Sequence, residues 1–140
     1  MDKSEYLKLA HEKGWDTRIP RLEDGTYDCD IFGGDDVLIP LNVRISGNFF
    51  LGARCHTGDI FAGGLVILGE GADPCNVTAG EGFICGDNSD LVEVFVLNGS
   101  AIIGEISRCG AHISARKYVV IGMYSFTRMV SAGEDILYDE

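Results

Sequence analysis

Val43-Arg-Ile-Ser-Gly-Asn-Phe-Phe-Leu-Gly52 sets the pattern from which the fold follows. It returns 17 residues later as Ile60-Phe-Ala-Gly-Gly-Leu-Val-Ile-Leu-Gly69, and after another 17 as Val77-Thr-Ala-Gly-Glu-Gly-Phe-Ile-Cys-Gly86. The next unit starts at Val94 and reaches its glycine, Gly104, one residue late. Ile113-Ser-Ala-Arg-Lys-Tyr-Val-Val-Ile-Gly122 starts after 19, and Val130-Ser-Ala-Gly-Glu-Asp-Ile-Leu-Tyr-Asp139 after 17. A degenerate first copy starts at Thr26, with Ile31-Phe32 in the apolar run and Asp35 at the glycine place.

A repeat of this length, built from β-branched residues and a recurring glycine, predicts one coil of a β-solenoid per unit. Strand geometry alternates side chains between faces, which fixes which residues point inward. In the first segment these are the opening Val or Ile and then Ile45, Ala62, Ala79, Val96, Ala115 and Ala132. In the second they are Phe49/Leu51, Val66/Leu68, Phe83/Cys85, Ala101/Ile103, Val119/Ile121 and Ile136/Tyr138. Gly52, Gly69, Gly86, Gly104 and Gly122 mark a corner expected to need positive φ. Small residues three places on (Cys55, Ala72, Ser89, Ser107, Ser125) fit the crowded inside of the next bend. No coil buries its face alone; stacking at about 4.8 Å per coil completes core and backbone ladders.

Composition agrees with one such domain. The chain has 140 residues, 46% of them hydrophobic, with 19 glycines and three prolines. That apolar share excludes a disordered acidic tail. With 22 acidic residues against 11 Lys and Arg, and a net charge of -11, no basic field exists for nucleic acid. No run is long and apolar enough to span a membrane, and Met1 to Pro20 lacks the apolar core of an export signal. Five cysteines (Cys29, Cys55, Cys75, Cys85, Cys109), an odd number without close pairs, then read as thiols in a reducing cytoplasm. The Asn-x-Ser/Thr matches at Asn76 and Asn98 are chance in that setting.

Residues 1–22 differ from the repeat. Ser4 to Gly14 has an N-cap serine, good helix formers and a terminal glycine, which predicts a short helix. It is expected to cap a solenoid occupying residues 23–140, since an open end exposes apolar side chains and unpaired backbone.

The phrases Gly58-Asp-Ile-Phe-Ala-Gly63, Asn76-Val-Thr-Ala-Gly-Glu81 and Ser131-Ala-Gly-Glu134, within coils of this length, resemble the bactofilins, polymer-forming bacterial cytoskeletal proteins. The resemblance covers residues 43–138 and implies a right-handed parallel β-helix that polymerises without nucleotide. Five cysteines, a two-residue insertion in the Val94 unit and the expected helix depart from that family. The rival solenoid is the left-handed hexapeptide acyltransferase, suggested by Leu51-Gly-x-x-Cys55, Leu68-Gly-x-x-Ala72, Ile103-Gly-x-x-Ser107 and Ile121-Gly-x-x-Ser125. Only one such unit falls in each coil, whereas three hexads per coil require 18 residues.

Chemistry along the chain is sparse. Cys55-His56 and Cys109-x-x-His112 carry zinc-type ligands but lie three coils apart, roughly 14 Å. Cys85 reads as a small core hydrophobe. No Gly-x-Ser-x-Gly elbow or cysteine nucleophile signature occurs, and Gly69-Glu-Gly71 reads as a turn. Asp35-Asp36 and Asp139-Glu140 read as solvated carboxylates, and an acyltransferase would use His56 or His112 as base. No catalytic residue, metal or cofactor is assigned.

Two surfaces stand out instead. Phe50, Ile67, Ile84, Ile102, Val120 and Leu137 fall outward, one per coil, as an apolar stripe. Either the N-terminal segment, with Tyr6, Leu7, Leu9 and Trp15, lies over it, or it is a self-association or partner face. From Cys55 to Ser107 there is no Lys or Arg, while Asp59, Glu70, Asp73, Glu81, Asp87, Asp90, Glu93 and Glu105 supply eight acids. Basic residues gather in 1–21 and 108–128. The acidic stretch is a solubilising surface, a wall for a basic protein, or one half of an end-to-end attraction. The expectation is a cytoplasmic, all-β, non-enzymatic single-domain parallel β-helix of six to seven coils. It forms a homo-oligomer, or as an alternative acts as an acidic inhibitor or immunity-type protein.

Overall fold

A computed structural model describes residues 28–39 and 42–138. Every regular element among them is a strand, and every strand pairing is parallel. The first sheet contains, in spatial order, β1 (Ile31–Phe32), β4 (Phe49–Leu51), β7 (Leu65–Leu68), β9 (Gly82–Cys85), β11 (Ser100–Ile103), β13 (Tyr118–Ile121) and β16 (Asp135–Tyr138). The second contains β3 (Val43–Ile45), β6 (Ile60–Ala62), β8 (Asn76–Ala79), β10 (Asp90–Val96) and β12 (Arg108–Ala115). Both β14 (Phe126–Thr127) and β15 (Val130–Ala132) pair with β12. A third, short face is made by β2 (Leu38–Ile39) beside β5 (His56–Thr57), continued by an isolated bridge from His56 to Asp73. The molecule is a parallel β-solenoid, and the helix expected over Ser4–Gly14 lies outside the described residues.

Register follows the repeat. Val43, Ile60, Val77 and Val94 pair in succession, and Ile113 pairs with Val130. The two extra residues near Val94 have separate homes. One widens the turn between β10 and β11, where Ala101 comes to face Phe83. The other is a β-bulge in β12, since Leu91 faces Cys109 but Glu93 faces His112.

The alternation places the core as the pattern requires. Phe49, Val66, Phe83, Ala101 and Val119 stack as one fully buried column, with Ala101 leaving room beneath the Phe83 ring. Ile45, Ala62, Ala79, Val96 and Ala115 form another. The last coil is looser: Val130, Ala132 and Ile136 are half-buried and Tyr138 is exposed.

At the glycine corner the structure corrects the expected backbone. Gly52, Gly69, Gly86, Gly104 and Gly122 are not at positive φ; the left-handed residues are Asp36, Arg54, Gly71, Asn88, Ile106 and Tyr124, two places later in each coil. Glycine is required for a different reason. The corners stack so closely that a Cβ on Gly104 or Gly122 would stand 2.5 Å from the carbonyl carbon of the glycine one coil earlier. All the left-handed residues but Tyr124 are held by amides that bond forward, such as Asn88 N–H to Glu105 O (2.9 Å) and Ile106 N–H to Met123 O (2.9 Å).

Inside the next bend, Cys55, Ala72, Ser89 and Ser107 are buried. The serines also form a directional ladder: Ala72 N–H donates to Ser89 Oγ (3.3 Å), Ser89 N–H to Ser107 Oγ (3.1 Å) and Ser107 N–H to Ser125 Oγ (3.0 Å). Hydroxyls that look merely small in sequence thus satisfy amides that would otherwise be orphaned inside the coil.

Candidate functional site

The outer face of the first sheet carries the apolar stripe in the anticipated column. Phe32 faces Phe50, and Phe50, Ile67, Ile84, Ile102, Val120 and Leu137 follow in register. Its exposure is uneven, which corrects the expectation of a continuous wet stripe. Phe50 is only 1% exposed and forms a small buried cluster with Phe32, against which Leu65 and Ile67 pack. Ile67 and Val120 are half-buried, whereas Ile84 (38%), Ile102 (42%) and Leu137 remain exposed. Tyr6, Leu7, Leu9 and Trp15 lie outside the described residues. On the second sheet the outer aromatics are partnered: the Arg44 guanidinium lies 5.0 Å over Phe61, and Phe95 meets His112 edge-on at 5.7 Å.

Beside the stripe runs the glycine corner, where Glu70, Asp87 and Glu105 each follow a stacked glycine and therefore form a column one coil apart. Stripe and corner enclose an open groove of about 660 Å³. Ile67 and Ile84 floor it, while Asp35, Arg54, Glu70 and Asp87 rim it. Arg54 is bound to Asp36 through Nε–Oδ1 (2.7 Å) and Nη2–Oδ2 (3.0 Å), and this hydrogen bond holds the Asp36 carboxyl below its ordinary value.

The eight predicted acids are not one wall. Asp59 Oδ1 accepts the Asn76 amide (3.1 Å) and Asp87 Oδ1 the Glu105 amide (2.8 Å), so these carboxylates join adjacent coils. Asp73 and Asp90 lie on the third face between two basic side chains. Asp73 Oδ2 is 3.1 Å from His56 Nδ1, and Asp90 Oδ1 is 3.8 Å from Arg108 Nε. Glu81 sits exposed in a turn and Glu93 is half-buried between Asn76 and His112 in the strand register. Glu70 and Glu105 are exposed at the groove corner, as is Asp87.

The cysteine–histidine pairs do not converge. Cys55 and Cys109 are buried inside the coils. His56 points to Asp73, and His112 Nε2 lies 3.1 Å from Ser131 Oγ. Among the described residues, no group of three or more His, Cys, Asp and Glu stands close enough to hold a metal ion. Burial pushes the Cys55 and Cys85 thiols up to about 11, so both stay protonated at neutral pH.

Sequence reasoning located the basic residues of 108–128 but missed the exposed aromatic side chains that stand with them. Ser125 is half-buried while Phe126 and Arg128 project outward from the last coils, and Arg108 is the register partner of Phe126. Tyr124 (83% exposed) and Phe126 (63%) accompany these two arginines. From Ile106 to Gly133 the chain holds four cations and no acid, the signal by which this patch was legible.

The fold and its surface define a β-solenoid with an acid-rimmed apolar groove in the middle and a basic aromatic patch on its last coils. No protein-family model, curated protein or solved structure matches the chain. Among the described residues no helix is long and apolar enough to cross a membrane.

Proposed function

We propose that the chain is a non-enzymatic structural scaffold of the cytoplasm that works by self-association. The observation that carries this reading is the exposed apolar column Ile84, Ile102 and Leu137, which continues onto Ile106, Tyr124 and Phe126 at the corner. Apolar side chains aligned along one face of a rigid rod gain from being covered by a matching surface, and the described residues supply none. The phrases shared with bactofilins support the same reading. So do the buried Cys55 and Cys85 thiols, held protonated, and the histidines engaged with Asp73 and Ser131. Size-exclusion chromatography with light scattering is expected to give a mass of two chains or more, rising with concentration. A strictly monomeric protein at high concentration would overturn the proposal.

The acid rim of the groove supports a second reading, capture of one basic protein. A pull-down that recovers a basic protein, released by salt, together with a monomeric mass, favours it over self-association.

A further inference from the structure

We infer that the acid-rimmed groove is the seat for a second copy of this chain, which inserts the basic aromatic patch of its last coils. This rests on the self-association reading above and names the two surfaces that meet. The groove offers Ile67 and Ile84 as an apolar floor, with Glu70 and Asp87 along its edge and Glu105 one coil further on. The patch offers Tyr124 and Phe126 as exposed aromatic side chains, flanked by Arg108 and Arg128. The cation on the groove rim, Arg54, is tied to Asp36, so the rim presents Asp35, Glu70 and Asp87 to a basic surface. Aromatic rings cover the apolar floor, while the guanidiniums meet carboxylates at the rim.

Position makes the pairing reciprocal. Groove and patch are neighbours around the coil: Tyr124 stands two places after Gly122, at the corner that borders the groove, and Arg108 and Phe126 continue the adjoining column of Asp90. About two coils separate them, roughly 10 Å along the axis. Two copies placed side by side and antiparallel, with a two-fold axis between the levels of Asp87 and Glu105, bring each patch against the other copy's groove. Such an isologous contact closes on itself and stops at a dimer. The weak Arg108–Asp90 contact, 3.8 Å with both side chains exposed, does not commit Arg108 to its own chain.

Charge exchange tests the pairing. One variant, Arg108→Glu/Arg128→Glu, puts acids on the patch; the other, Glu70→Lys/Glu105→Lys, puts cations at the rim. Asp87 is left unchanged because it holds the Glu105 amide. Dissociation constants from light scattering and sedimentation are read with circular dichroism as the check on folding. Each variant alone is expected to dissociate on the order of 100-fold more readily than the parent. An equimolar mixture is expected to restore a dimer of one chain of each, since both contacts are complementary again. The parent dimer is expected to weaken as salt is raised. Self-association unchanged in both variants, or growth into filaments, would overturn this inference and leave the self-association reading standing. A folded parent that is monomeric at every concentration would overturn both.

Discussion

At the corner that borders the groove, the acidic coils place Gly71 and Asn88 in the left-handed conformation, whereas Ile106, at the end of the acidic stretch, and Tyr124, in the basic one, stand there in the coils that follow. Glycine and asparagine adopt it at little cost; a β-branched isoleucine at φ 54° is strained. The same contrast runs through the interior. Phe83, Val77 and Val94 are fully buried in the acidic coils, while Val130 and Ile136 of the last coil are half-buried. One backbone plan thus yields a tight acidic middle and a looser basic end that displays aromatic side chains. The last coil is half-buried because no further coil among the described residues stacks on it.

The largest test of that contrast lies in the core. Phe83→Ala is expected to cost about 3–5 kcal/mol, and Ile136→Ala under about 1 kcal/mol, by chemical denaturation. Equal losses would mean that the two regions are packed alike. At the junction, Gly104→Ala drives a Cβ against the Gly86 carbonyl carbon at 2.5 Å, with expected destabilisation of about 1–3 kcal/mol. Ile106→Gly acts in the opposite sense. It removes roughly 1–2 kcal/mol of left-handed strain and gives up to about 1 kcal/mol back as unfolded-chain entropy. A small rise in thermal midpoint is expected, and a fall would show that Ile106 is held by packing rather than strained by φ.

The smallest effect concerns Asp36 and Arg54, just ahead of the acidic stretch. Because the Arg54 hydrogen bond lowers the Asp36 carboxyl in the folded state, the pair's stabilisation is present above the unfolded pKa of Asp36. It is lost as pH falls through the lowered folded value. Arg54→Gln is expected to return the Asp36 titration to the ordinary carboxylate range, followed by NMR.

Alternation and period made the strands, their register and nearly all inward positions readable from residues alone, because a stacked coil admits one parity. The corner was harder. Glycine there suggests positive φ, yet Arg54, Asn88, Ile106 and Tyr124 share no residue type, and the amides of the first three bond forward to the next coil. The serine ladder was half legible: three serines recur at one place, but hydrogen bonding shows only once coils stack. The groove was illegible because it joins two columns, each spread over successive coils. Burial of Phe50 likewise depends on what surrounds it, not on its parity.

The serine ladder also bears on how the rod yields to force. Each rung is donated by one coil and accepted by the next, so Ser107 loses its acceptor the moment the last coil is peeled away. A pull applied at that end meets one coil at a time. Each step frees a length of chain on the order of 60 Å when extended, and the protein unravels as a series of small, nearly equal steps.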